Sequence, residues 1–193
     1  MKISFLASHG GSSARHIIRA IHSKKLAAEI GIVVANNRDS VIYRWCHDND
    51  IDVFYISAKT HPNSAEKDQA MYEALSAAGT DIIVLSGYMK KVGAVTLSAY
   101  TNKILNIHPS LLPRHGGKGL YGDKVHEAVL LSGDRESGAT VQFVNAEYDE
   151  GPIIAQRKIT ICSHETPQSL KAKVQAIEGE LYLSSIQKIL GAQ

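Results

Sequence analysis

Apolar residues along this chain fall into short clustered runs, separated by stretches with helical spacing. The β-rich runs are residues 3–7, 30–35, 53–56, 82–86, 104–107, 141–144 and 153–161. Between the first two, Ala14, Ile17, Ile18 and Ile21 recur at i, i+3, i+4 and i+7, one face of a helix. Residues 64–78 have a helix-rich composition, and their opening Ser64-Ala65-Glu66-Lys67 stops just short of a capping box. Strand–helix alternation over the first half predicts right-handed βαβ units and a parallel sheet. The run Ile82-Ile83-Val84-Leu85 is apolar on both faces, as a central strand covered by helices requires. The end of the chain changes character. An antiparallel stretch, 141–144 with 153–161, precedes a long helix from about 166 to 190. In that helix Leu170, Val174, Ile177 and Leu181 form a stripe suited to packing on the sheet.

No repeat, low-complexity tract or block of like charge interrupts this pattern, so the 193 residues are expected to form a single domain, 1–193. A domain of that size buries a full core without disulfides or metals. A content of 44% hydrophobic and 21% charged residues is ordinary for a soluble globular protein. The formal charge, 21 − 19 = +2, is too small to argue for nucleic acid or membrane as partner. Two cysteines, Cys46 and Cys162, without a C-x-x-C pair, argue against a disulfide scaffold and structural zinc and fit a reducing compartment. The apolar start, Met1 to Ala7, is too short for a signal peptide or a membrane span. A cytoplasmic location is therefore expected. His108, His115 and His126 lack metal-ligand spacing and no H-E-x-x-H occurs, so no metal is expected.

Two segments carry candidate chemistry. After the first strand, Ser8-His9-Gly10-Gly11-Ser12-Ser13 leads into a helix and matches neither a Walker loop nor a G-x-G-x-x-G fingerprint. Glycines admit a ligand close to the backbone, and free N–H groups at a helix start favour an anion. The alternative is that Ser12 or Ser13 simply caps the helix. The second segment is Asn106-Ile107-His108-Pro109-Ser110-Leu111-Leu112-Pro113. On a strand, Asn106 and His108 share a face, and Pro109 ends the strand just beyond them. In an open α/β sheet that end is where ligands bind. An imidazole can take and return a proton near neutral pH, and an amide N–H can stabilise an oxyanion, which suits acyl transfer to an amine. The same pair could equally be a hydrogen-bonded strand end with a purely structural role. Asp149, in Tyr148-Asp149-Glu150-Gly151-Pro152, is a third candidate that would orient His108, or else a plain turn former.

Taken together, the segments resemble the phosphoribosylglycinamide formyltransferase family, within the folate-dependent formyltransferases. The resemblance runs through Gly11-Ser12-Ser13, Asn36-Asn37, Gly87-Tyr88-Met89-Lys90 and the Asn106 to Pro113 segment. It continues through Gly138-Ala139-Thr140-Val141, Asp149-Glu150-Gly151-Pro152-Ile153-Ile154-Ala155-Gln156, and Val174-Gln175 with Glu178. It implies a Rossmann-like, mostly parallel sheet with helices on both faces, an antiparallel addition and a long helix near the C-terminus. It also implies a catalytic trio of Asn106, His108 and Asp149, and a substrate-phosphate turn at Gly11, Ser12 and Ser13. Gln175 and Glu178 would contact the ribonucleotide, while Met89, Lys90, Val92, Asn145 and Tyr148 would lie around the folate. The implied reaction is direct attack of the amine of glycinamide ribonucleotide on the formyl carbon of 10-formyltetrahydrofolate, in purine synthesis and without a metal. Partners would be these small molecules alone, with the protein a monomer or homodimer.

The chain departs from the family pattern at several positions. His9 and Gly10 stand where Gly-Asn is common, Ser13 where Asn is common, Gln142 where His is frequent, Gly179 where His is usual and Leu183 where Pro is usual. The loop 116–122 is longer than in many members. Most of these changes fall at the substrate end, so a sister enzyme acting on another amine is the main alternative. The related hydrolase, which carries an additional N-terminal domain, fits less well with a sheet starting at Met1. A binding module without activity would predict a broken trio.

Overall fold

A computed structural model describes residues 1–191 of the chain. The described residues contain seven strands and six α-helices. The chain divides into two compact units, Met1–Leu105 and Asn106–Gln193, with the boundary inside the fifth strand.

In the first unit, β1 (Lys2–Ala7), β2 (Glu29–Ala35), β3 (Val53–Tyr55), β4 (Ile82–Ser86) and the start of β5 (Ile104–His108) pair in the order β3-β2-β1-β4-β5. All of these pairings are parallel. Ile3, Phe5, Leu6 and Ala7 of β1 are fully buried, and β4 is buried at every position. The helices are α1 (Ser12–His22), α2 (Val41–Asp48), α3 (Ser64–Ala77) and α4 (Ala94–Ala99). The chain moves one way from β1 through α1 and α2 to β3, then crosses back through α3 to β4. Right-handed crossovers therefore place α1 and α2 on one face of these strands and α3 and α4 on the other. The order reverses between β1 and β4, and the crevice at such a switch point is where open α/β sheets bind ligands.

The second unit holds the rest of β5, α5 (Asp123–Leu131), the antiparallel pair β6 (Glu136–Phe143) and β7 (Ile153–Thr160), and α6 (Pro167–Gly191). Leu170, Val174 and Leu181 of the α6 stripe are buried and the helix packs on β6 and β7, whereas Ile177 is only partly covered.

Three helices, α2, α4 and α5, are only 8, 6 and 9 residues long, too short for an apolar period to stand out along the chain. The first strand of the hairpin begins at Glu136, five residues before the apolar run that signals it. Its opening Glu136-Ser137-Gly138 reads as a loop, yet Gly138 lies so close to β7 that a Cβ there would stand 2.0 Å from the Arg157 carbonyl. Only glycine allows the two backbones that approach. Asn63, not Ser64, caps α3, with its side chain accepting from Ala65 N–H at 2.8 Å.

Candidate active site

In the first unit, the turn after β1 opens α1 with Gly11 as N-cap at a φ of 57° and no side-chain cap. A Cβ at Gly11 would meet Ile42 at 2.7 Å, so both the conformation and the space select glycine. Neither Ser12 nor Ser13 caps the helix. They are its first two residues, and the first N–H groups of a helix have no intrahelical acceptor. The next N–H, of Ala14, is taken by Ser86 Oγ at 3.0 Å. Beside this turn lies the one after β4: Ser8 Oγ accepts from Met89 N–H at 2.8 Å. Met89 and Lys90 are exposed and Val92 is buried. The buried Asp68 of α3 anchors this turn from behind, accepting from Val95 N–H at 2.8 Å and Thr96 Oγ1 at 2.6 Å at the start of α4.

In the second unit, Asn106 and His108 project from one face of β5, two residues apart. The Asn106 amide has no hydrogen-bond partner among the described residues and is partly exposed. His108 is 4% exposed. Its Nε2 lies 2.8 Å from the His115 carbonyl oxygen, and a carbonyl only accepts, so Nε2 carries the hydrogen. Its Nδ1 faces Asp149 Oδ2 at 3.4 Å. The turn containing Asp149 therefore does reach the imidazole. Asp149 holds a φ of 58°, a left-handed conformation that aspartate tolerates better than most residues. Two donors fix its carboxylate: Gly117 N–H to Oδ2 and Gln142 Nε2 to Oδ1, each at 3.0 Å.

Buried polar groups brace this cluster. Thr140 Oγ1 donates to the Ser110 carbonyl at 2.6 Å and accepts from Leu112 N–H at 3.0 Å. Gln156 Nε2 donates to the Leu112 carbonyl at 2.8 Å. The threonine of one motif and the glutamine of another thus hold the segment that follows His108. His115 in turn is tied through Nε2 to Asp134 Oδ2 at 2.7 Å, with Arg114 on the other carboxylate oxygen. These contacts hold the Asp134 carboxyl below the usual carboxylate range, the His115 hydrogen bond being the largest cause.

Of the other expected site residues, Gln175 is exposed and Glu178 partly buried on α6, while Asn145 and Tyr148 are exposed ahead of Asp149. Asn145 Oδ1 accepts from Glu147 N–H at 3.0 Å and so shapes that loop. Desolvation pushes the Glu178 carboxyl up to about 7. Among the described residues, no group of three His, Cys, Asp or Glu is placed to hold a metal, and no helix is long and apolar enough to cross a membrane.

The sequence model of the formyl transferase family matches residues 1–186. The chain belongs to the formyl transferase family. It is 37% identical over 186 residues to the chloroplastic phosphoribosylglycinamide formyltransferase of Arabidopsis thaliana, covering 96% of this chain but spanning only 64% of that protein's length. It is 32% identical over 190 residues to the phosphoribosylglycinamide formyltransferase of Bacillus subtilis, covering 98% of this chain and 95% of that one. The crystal structure of phosphoribosylglycinamide formyltransferase from Bacillus halodurans superposes with a TM-score of 0.90 at 30% identity, over 98% of this chain and 95% of the other.

Within this formyl transferase fold, four participants lay outside the sequence reading: the Gly117 N–H, the His115 carbonyl, the Asp134 carboxylate behind it, and Gln142 as a partner of Asp149. Backbone groups leave no trace in side-chain identity. The departures at Gln142 and at loop 116–122 were the only available signal, and both now fall on the Asp149 carboxylate.

The Glu178 shift has a measurable consequence. Its folded value, about 7, lies above the ordinary 4.5, so the native state holds the proton more tightly. Its burial costs nothing below about pH 4.5, and stability is lost as pH rises toward 7. Glu178→Gln is expected to match wild type at pH 5 and to exceed it by ~1–3 kcal/mol at pH 8 in urea unfolding. Equal curves at both values would mean that the carboxyl is solvated.

Proposed function

We propose that this protein transfers a formyl group from 10-formyltetrahydrofolate to the amine of glycinamide ribonucleotide, a step of purine synthesis, as one formyltransferase domain in the cytoplasm. The observation that carries the reading is the placement of His108 Nδ1 against Asp149, with the unpartnered Asn106 amide on the same strand face. Family membership and the names of its relatives support the choice of donor and acceptor.

The acceptor amine attacks the formyl carbon, forming the new C–N bond while the carbonyl π pair moves onto oxygen. Asn106 donates to that oxygen as it becomes an oxyanion. The His115 carbonyl fixes the His108 ring through Nε2, so Nδ1 is the atom that exchanges a proton. At 3.4 Å its approach to Asp149 is longer than a strong hydrogen bond, leaving room for the ring to serve the oxyanion and the leaving nitrogen. Asp149 stabilises the imidazolium and takes up the proton that the amine gives up. Collapse restores the carbonyl, breaks the bond to the folate nitrogen and returns a proton to it, so the step needs no outside reagent.

The Gly11, Ser12 and Ser13 turn suits the acceptor phosphate, because N–H groups at a helix start favour an anion. Gln175 and Glu178 suit its ribose, and the turn bearing Met89, Lys90 and Val92, with Asn145 and Tyr148, suits the folate. The protein would act as a monomer or homodimer. The test is an assay with 10-formyltetrahydrofolate and a panel of amines. Glycinamide ribonucleotide should be formylated, and its dephosphorylated riboside should show kcat/KM lower by at least ~10-fold. Turnover of a different amine alone would identify a sister enzyme, and formate release without any acceptor would identify a hydrolase.

A further inference from the structure

Gln142 stands on β6 where the family frequently has histidine, and it is 2% exposed. Its Nε2 donates to Asp149 Oδ1 at 3.0 Å. The opposite amide orientation would set oxygen against a carboxylate oxygen, so the partner's charge fixes the assignment. Gly117 N–H and His108 Nδ1 both address the other oxygen, Oδ2. Each carboxylate oxygen therefore has its own neutral donor, one from a loop and one from a strand. Gln142 Oε1, by contrast, is buried with no hydrogen-bond partner among the described residues. A buried amide oxygen without a donor costs stability, and native structures rarely keep one without a use.

We propose that Gln142 is a positioning residue for the transfer reaction: its amide holds the Asp149 carboxylate toward His108, and its free Oε1 receives an N–H or O–H donor that arrives with the substrates. This deepens the reading of Asp149 as a participant in proton transfer and rests on it. An amide presents one donor and one acceptor at every pH, whereas an imidazole changes its pattern near neutrality. Gln142 therefore supports Asp149 without titrating. The ionisable groups around the carboxylate are His108 on β5, His115 with Asp134 behind it, His126 on α5, which interacts with His108, and the chain neighbours Tyr148 and Glu150. None of them replaces the Gln142 donor at Oδ1.

The test compares Gln142→Leu, Gln142→His and Asp149→Asn, following kcat and KM from pH 5 to 9 with 10-formyltetrahydrofolate and glycinamide ribonucleotide. Gln142→Leu keeps the volume and removes the donor. It should lower kcat by ~10–100-fold with the acceptor KM within about threefold, since the lost interaction matters in the transition state. Its acid limb should move to higher pH, because the carboxylate loses a donor that favours its charged form. Gln142→His should recover most of kcat and add a second ionisation near neutral pH. It also carries the test alone if the leucine variant does not fold, wild-type pH dependence then counting against the inference. Gln142→Leu with wild-type kcat and an unmoved acid limb, beside an inactive Asp149→Asn, overturns the inference and leaves the site reading standing. Asp149→Asn with wild-type turnover overturns both.

Discussion

Replacing His108 by alanine is expected to lower turnover by ~10²–10⁴, the usual contribution of a positioned acid–base group. The side chain is buried, its Nε2–H satisfies the His115 carbonyl, and its Nδ1 faces Asp149. Alanine therefore removes the proposed proton carrier and leaves the His115 carbonyl without its donor, while Asp149 keeps those from Gly117 and Gln142. A strand-end polar residue taken by itself would contribute little to the core, but here the substitution should also cost about 1–3 kcal/mol of stability, because the partly buried His115 carbonyl loses its donor. The measurements are kcat with glycinamide ribonucleotide and urea unfolding of the same preparation. A folded variant with near wild-type turnover would remove His108 from the mechanism. Turnover loss without a stability cost would instead mean that the His115 carbonyl finds water.

The second large effect is expected at Asn106, and it should be purely kinetic. Its amide has no hydrogen-bond partner among the described residues, so Asn106→Ala should leave stability within about 0.5 kcal/mol of wild type. Turnover should fall by ~10²–10³ if the amide serves the developing oxyanion, because that interaction strengthens only as charge appears on oxygen. The acceptor and folate KM values should change little. A raised KM with unchanged kcat would assign Asn106 to ground-state binding and leave the oxyanion to His108 alone. Measured side by side, the two variants separate a residue that is both structural and chemical from one that waits for substrate.

The strands were legible in the sequence wherever burial imposes a local pattern. Residues 82–86 are apolar throughout because β4 is covered on both faces, and the helical spacing of Ala14, Ile17 and Ile18 matches the buried face of α1. The first turn was legible as well, since Gly11 is demanded by its own backbone conformation. Short helices such as α4, and a strand that opens on Glu136-Ser137-Gly138, were not legible. Their form is imposed by neighbours, the Asp68 carboxylate in one case and the close approach of β7 in the other.

The candidate site divides along the same line. Asn106 and His108 share a face because strand side chains alternate, and Pro109 ends the strand beside them, so their pairing needed only local geometry. The motif order that marks the formyl transferase family is likewise written in the chain. That Asp149 meets His108 across 41 positions of sequence, held by Gln142 and by an N–H of a glycine-rich loop, depended on how β6 and its loops fold back. The desolvation of Glu178 likewise arises only in the packed molecule. Periodicity and backbone preference act over a few residues and are fixed by the local sequence, whereas hydrogen bonds across the fold and the loss of water around a charge exist only once distant segments have packed.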